Sequence, residues 1–217
     1  KHWYRYHHLF GELLKQRLIQ KSTDIEDLDI SILHKRAGLW LEEQGLVIEA
    51  FAHITSAGDI KGAERLIEGK GIPLQFLGAL NQIIRWLDSL PHEVLDQNPT
   101  LWVTYASVVL GTGQTVGIED KLQRAQQLLE SYDDDEMTRD IRGQIASTRA
   151  SLALSQHDLE GIIYECHQAL KLLSDENSHY RVGTYWTLGY AYQLRGERKK
   201  ARSTYTEAMK ISQMSGN

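Results

Sequence analysis

The chain is short of several things that would steer it toward other classes of protein. It holds one cysteine, Cys166, in 217 residues. An internal disulfide framework is therefore excluded, and the composition fits a reducing cytosol. Only three prolines occur, and long stretches show no alternation of apolar and polar residues, which favours an all-α fold. No apolar run approaches the roughly 18 residues that a membrane span needs. There is no surplus of positive charge: the net charge is −5, which argues against a nucleic-acid clamp, since phosphate neutralisation needs a local excess of Lys and Arg. The chain contains no G-x-x-x-x-G-K-[ST] loop to cradle phosphates and no G-x-S-x-G nucleophile turn. It also opens without a methionine, on "KHWYRYHHLF", and the expectation is that it is cut from something longer.

What is present is helical periodicity. Residues 2–7, "HWYRYH", alternate like a short strand. The following "HLFGELLKQRL" places Leu9, Leu13, Leu14 and Leu18 on one helical face. "LDISILHKRAGLWLEEQG" and "LVIEAFAHITSAG" read as helices stopped by Gly45 and Gly58, and Asp59 is of the type that opens one. A helix is expected from Pro73 through "PLQFLGALNQIIRWLDSL", with a short turn of helix between Pro91 and Pro99. Beyond Pro99 three helix pairs follow, near 100–112 with 116–131, 135–156 with 158–173, and 178–195 with 197–214.

The stretch "TYWTLGYAYQLRGERKKARSTYTEAM", 184–209, explains the pairing. A helix hairpin cannot bury its apolar face alone, so hairpins stack, with small residues at close crossings. Gly189 and Ala208 would be the small contacts. Leu188, Tyr192 and Tyr205 would pack between helices, and Gly196 would make the turn. This is the tetratricopeptide (TPR) pattern L-G-x2-Y…A-x3-F/Y, with Tyr185 where Trp is usual. Thirty-nine residues upstream the same places hold Ala150, Ile162, Cys166 and Ala169. A further 44 upstream are Ala106, Leu122 and Ala125, and near the start Gly38, Ala50, Ile54 and Ala57 keep the offsets. Four unrelated hairpins with ordinary small-residue crossings would be the alternative.

Several conspicuous residues read as structural. His7 and His8 are adjacent and point apart, a poor metal pair. "DDDE" at 133–136 lacks the spacing of a calcium loop and suits the positive end of the next helix. Cys166 sits at a packing position, as a buried thiol. "RGERKK" at 195–200 is a solvated turn. Nothing supports catalysis, and no cofactor or metal is expected on this chain. Trp186, Tyr190 and Gln193 follow one another at +4 and +3, forming one stripe beside the packing face. First helices line the concave side of stacked hairpins, so this stripe is a candidate site for a sugar, a peptide or a flat metabolite. Ser147 and Ser151 hold the corresponding places one repeat earlier. Packing against a following hairpin is the competing role for Trp186 and Tyr190.

The stretches "WYRYHHLFGELLKQRL", "LHKRAGLWLEEQGLVIEAFAHITSAGDIKGAERLI" and "LGALNQIIRWLDSLPHEVLDQNPTLWVTYASVVLGTGQ" together resemble the middle of the large ATP-dependent LuxR-type regulators of the MalT-like group. The resemblance implies that residues 1–25 are the tail of a winged-helix domain. Residues 26–217 would be a right-handed superhelix of TPR-like hairpins, incomplete at its C-terminal end. It further implies a cytoplasmic transcription activator that senses an inducer on the superhelix and self-associates. ATP would belong to an NTPase module and DNA to a helix-turn-helix, both in the parent protein. A stand-alone TPR adaptor gripping a peptide or protein partner in its groove is the other reading. The segment itself is expected to touch neither nucleic acid nor membrane.

Overall fold

The structure is a computed structural model that describes residues 8–24, 29–68 and 74–215. The strand-like alternation at 2–7, the boundary expected near residue 25 and Pro73 lie outside these residues. The regular elements among the described residues are all helices, with no strand. Backbone contacts divide the chain into two compact units, Lys1–Leu66 and Ile67–Asn217.

The first unit contains α1 (His8–Asp24), α2 (Ile30–Glu43), α3 (Val47–Ser56) and the start of α4 (Ile60–Glu68). Asp29 caps α2 by accepting the Ser31 amide at 2.8 Å, and Asp59 caps α4 by accepting the Gly62 amide at 2.9 Å. Gly45 and Gly58 have φ of 75° and 70°. They stop α2 and α3 in the left-handed conformation that a side chain would resist. The α2–α3 crossing is close: a Cβ on Gly38 would stand 2.7 Å from Cγ1 of Ile54. His34 and His53 meet across the same hairpin through their Nδ1 atoms at 2.9 Å. Leu9, Leu13, Leu14 and Leu18 share α1 as expected, and all four are exposed.

The second unit opens with a 3-10 turn, Leu74–Leu77, followed by α5 (Leu80–Ser89), α6 (His92–Asp96), α7 (Pro99–Gly111) and α8 (Ile118–Leu128). After a second 3-10 turn, Leu129–Ser131, come α9 (Glu136–Ser155), α10 (Leu159–Leu172), α11 (Ser178–Leu194) and α12 (Arg198–Ser215). One expectation is corrected here. The continuous helix foreseen from Pro73 is broken at Gly78, whose φ of 90° no right-handed helix accommodates, so the 3-10 turn and α5 are separate pieces.

The hairpins α7–α8, α9–α10 and α11–α12 stand as the periodicity indicated. Each first helix starts on a side-chain cap: Asn98 accepts from Thr100, Asp135 from Thr138, and Asn177 from Tyr180. The cap on Asp135 gives "DDDE" its role. Accepting the Thr138 amide at 2.8 Å holds the Asp135 carboxyl below the usual range. Gly113 and Gly196 turn two of the hairpins at φ of 84° and 78°. The repeat positions fill the core. Ala106, Leu122, Ala125, Ala150, Ile162, Cys166 and Ala169 have no exposed surface. Ala150, Ile162 and Cys166 pack in one cluster with Leu188, Ala191, Tyr192 and Ala201. Burial pushes the Cys166 thiol up to about 12, so it stays protonated and inert.

Candidate ligand groove

The first helices of the three hairpins share a cavity of about 640 Å³ within the second unit. α7 lends Ser107, Leu110 and Gly111. α9 lends Ser147, Thr148, Ser151, Leu154 and Ser155. α11 lends His179, Tyr180, Gly183 and Thr187, and Gln75 and Leu80 complete the wall. The volume is that of a small-molecule site. No Asp, Glu, Lys or Arg belongs to this lining.

The hydroxyls have a definite polarity. Thr184, buried just behind the wall, donates to the Tyr180 carbonyl at 2.7 Å, so its 2.8 Å contact with Ser147 needs the Ser147 hydroxyl as donor. Ser151 donates to the Ser147 carbonyl, Thr148 to Gln144, Ser155 to Leu152 and Thr187 to Gly183. With four of these hydrogens committed to helix carbonyls and that of Ser147 to the Thr184 hydroxyl, the five oxygens keep lone pairs for the cavity. It is therefore rich in acceptors and suits a molecule rich in O–H or N–H donors.

Ser147 and Ser151 therefore sit in the cavity wall. Trp186, Tyr190 and Gln193 do not, because their stripe lies one hairpin further along. Trp186 is 59% exposed and touches the Tyr205 ring edge-on at 5.7 Å. Gln193 accepts from the Tyr205 hydroxyl at 3.2 Å, and Tyr190 is half-buried. Relative to the repeat, however, they occupy the places of Ser147, Ser151 and Leu154, all wall residues. Ser107 could have been found by the same rule, since it lies 44 residues before Ser151. Gln75 and His179 carry no repeat signal. Their Nε2 atoms meet at 3.5 Å although they are 104 residues apart.

His179 makes the groove sensitive to acid. Burial holds its pKa below the ordinary 6.5, so the imidazole is neutral at pH 7. The unfolded chain takes up the proton first. Stability is therefore full above about pH 6.5, falls as the pH drops through that value, and levels off only below the folded pKa. On acidification from about pH 7.5 to about 5.5, the protection factors of the hydrogen-bonded amides of α11 are expected to fall. His179→Gln should flatten that fall.

Comparison with known proteins agrees with this architecture. Residues 143–217 match the family model of the MalT-like TPR region. The HTH-type transcriptional regulator MalT of Cronobacter sakazakii is 26% identical over 202 residues, covering 93% of this chain and 21% of that protein. MalT of Klebsiella pneumoniae is 23% identical over 211 residues, 97% of this chain and 22% of the relative. The serine/threonine-protein kinase PknK of Mycobacterium tuberculosis is 27% identical over 131 residues, 57% of this chain and 11% of that kinase. The chain thus spans about a fifth of the length of the MalT proteins it matches. No solved structure matches it. Among the described residues, no helix is long and apolar enough to cross a membrane.

Proposed function

From a chain that is MalT-like over nearly its whole length, we propose that it is the signal-receiving segment of a transcription regulator. An inducer binds its concave groove and promotes self-association of the parent protein. The observation that carries the reading is the acceptor-lined, uncharged cavity shared by three successive first helices. A ligand touching all three favours one arrangement of the stack over others, which is what a receptor segment needs. The relatives support a role in input. One is named as a transcription regulator and another as a kinase, so a segment common to both serves neither output alone. Nucleotide and promoter binding belong to other parts of the parent chain, and catalysis has no place here. The ligand that fits is a small, uncharged molecule rich in hydrogen-bond donors.

Ser151→Phe tests this by filling the cavity from the middle of α9. In the full-length regulator it should remove the response to inducer while the helical signal of the segment persists. Unchanged induction would overturn the reading. In calorimetry, the 217-residue chain itself should show no micromolar affinity for ATP and no sequence-specific binding of duplex DNA.

A further inference from the structure

The open concave side of a hairpin stack would accept an extended peptide along its first helices as readily as a small molecule. In this chain something already crosses it. Leu74 and Ala79 are each only 1% exposed, so the short segment between them is buried at both ends. At one end Leu80 packs over α7, where a Cβ on Gly111 would meet its Cδ2 at 3.4 Å. At the other, Gln75 reaches the first turn of α11, its Nε2 being 3.5 Å from Nε2 of His179. Gly78, at φ 90°, provides the bend between the two anchor points. Gln75 and Leu80 also face the cavity, together with α9.

We infer that Leu74–Leu80 is a strap that closes the groove into a chamber. It makes the groove a site for small molecules and bars extended peptides, with the Gln75–His179 contact as its latch. The inference rests on the reading of the groove as a binding site and names what decides its selectivity. The cavity of about 640 Å³ stays partly open, with Gln75 and Leu80 in its wall, so a small ligand enters without displacing the strap. A peptide running from α7 to α11 has to break the latch and lift residues 74–80. The neutral imidazole suits this role, since it can accept from the Gln75 amide.

Thiol labelling tests the strap without knowledge of the ligand. Ser151→Cys places a thiol on the chamber wall, and Cys166, fully buried, provides an unreactive background. Methyl methanethiosulfonate should label this cysteine readily, and fluorescein maleimide at least about tenfold more slowly relative to a free thiol. Adding Gln75→Ala should raise the maleimide rate about tenfold and leave the small reagent within about twofold. His179→Ala should do the same from the α11 side, which covers the case in which Gln75→Ala loses helical protection in hydrogen exchange. Equal relative rates for the two reagents would overturn the strap, as would a maleimide rate that neither latch variant changes. Gated labelling in a chain whose parent ignores Ser151→Phe would leave the strap standing and remove the sensing role.

Discussion

Gly189→Leu is expected to destabilise the α11–α12 hairpin by about 1–3 kcal/mol. A Cβ at this position would stand 2.7 Å from Cε1, 2.8 Å from Cδ1 and 3.0 Å from Cζ of Tyr205. The obstacle is the edge of a ring, which cannot fold away as a flexible chain end could. The ring is also held, by the hydroxyl bond to Gln193 and by the edge contact with Trp186. Helix propensity pulls the other way, because leucine gains roughly 0.8 kcal/mol over glycine in a helix interior. The sign of the result therefore decides between a close crossing and an open face. Gly183 on the same helix is the control: nothing lies within 4 Å of its added Cβ, so Gly183→Ala should stabilise by about 0.5–1 kcal/mol. Hydrogen exchange in α11 and α12 is the proper measurement, since stacked hairpins can open one at a time and blur a single melting midpoint. An unchanged or raised stability for Gly189→Leu would remove the close crossing from the repeat.

Gly189 also shows why the hairpins were legible in the sequence and the cavity only partly so. A small residue faces a larger one sixteen positions on, as Gly189 faces Tyr205 and Gly38 faces Ile54. Ala150 and Cys166, at the same offset, share one core cluster. Such spacing is local, and so are the caps Asn98, Asp135 and Asn177. Gly78 was different. It stands in an apolar run, and only its positive φ reveals a break that the residue types around it do not announce. The strap then crosses to α11 over 104 residues of separation, a meeting that depends on how three hairpins stack. Repeat arithmetic could reach Ser147 and Ser151, and by the same step Ser107. It could not reach Gln75 or His179, which lie outside the repeated positions.

If the proposed sensing role holds, Trp186→Ala in the full-length protein is expected to abolish the response to an inducer. In the 217-residue chain it should change the stability of α11–α12 by under about 1 kcal/mol. The ring is 59% exposed and meets the ring of Tyr205 edge-on, so truncation removes little buried area here. Its repeat equivalents line the cavity, and an aromatic face at the next step along the groove gives a ligand broad contact at low entropic cost. Competing with this is the role of a packing surface. Ser147, the equivalent of Trp186, bonds to Thr184 on the first helix of the following hairpin, so this position can serve stacking as well as binding. The two roles differ in magnitude. If another hairpin covers Trp186 in the parent protein, the substitution opens a cavity worth about 3–5 kcal/mol and the neighbouring helices lose exchange protection. If a ligand uses the ring, protection without inducer stays as it was and only the response disappears. A destabilised parent, or one that still responds, would take the ligand role away from Trp186, Tyr190 and Gln193 and leave the groove at Ser147 and Ser151.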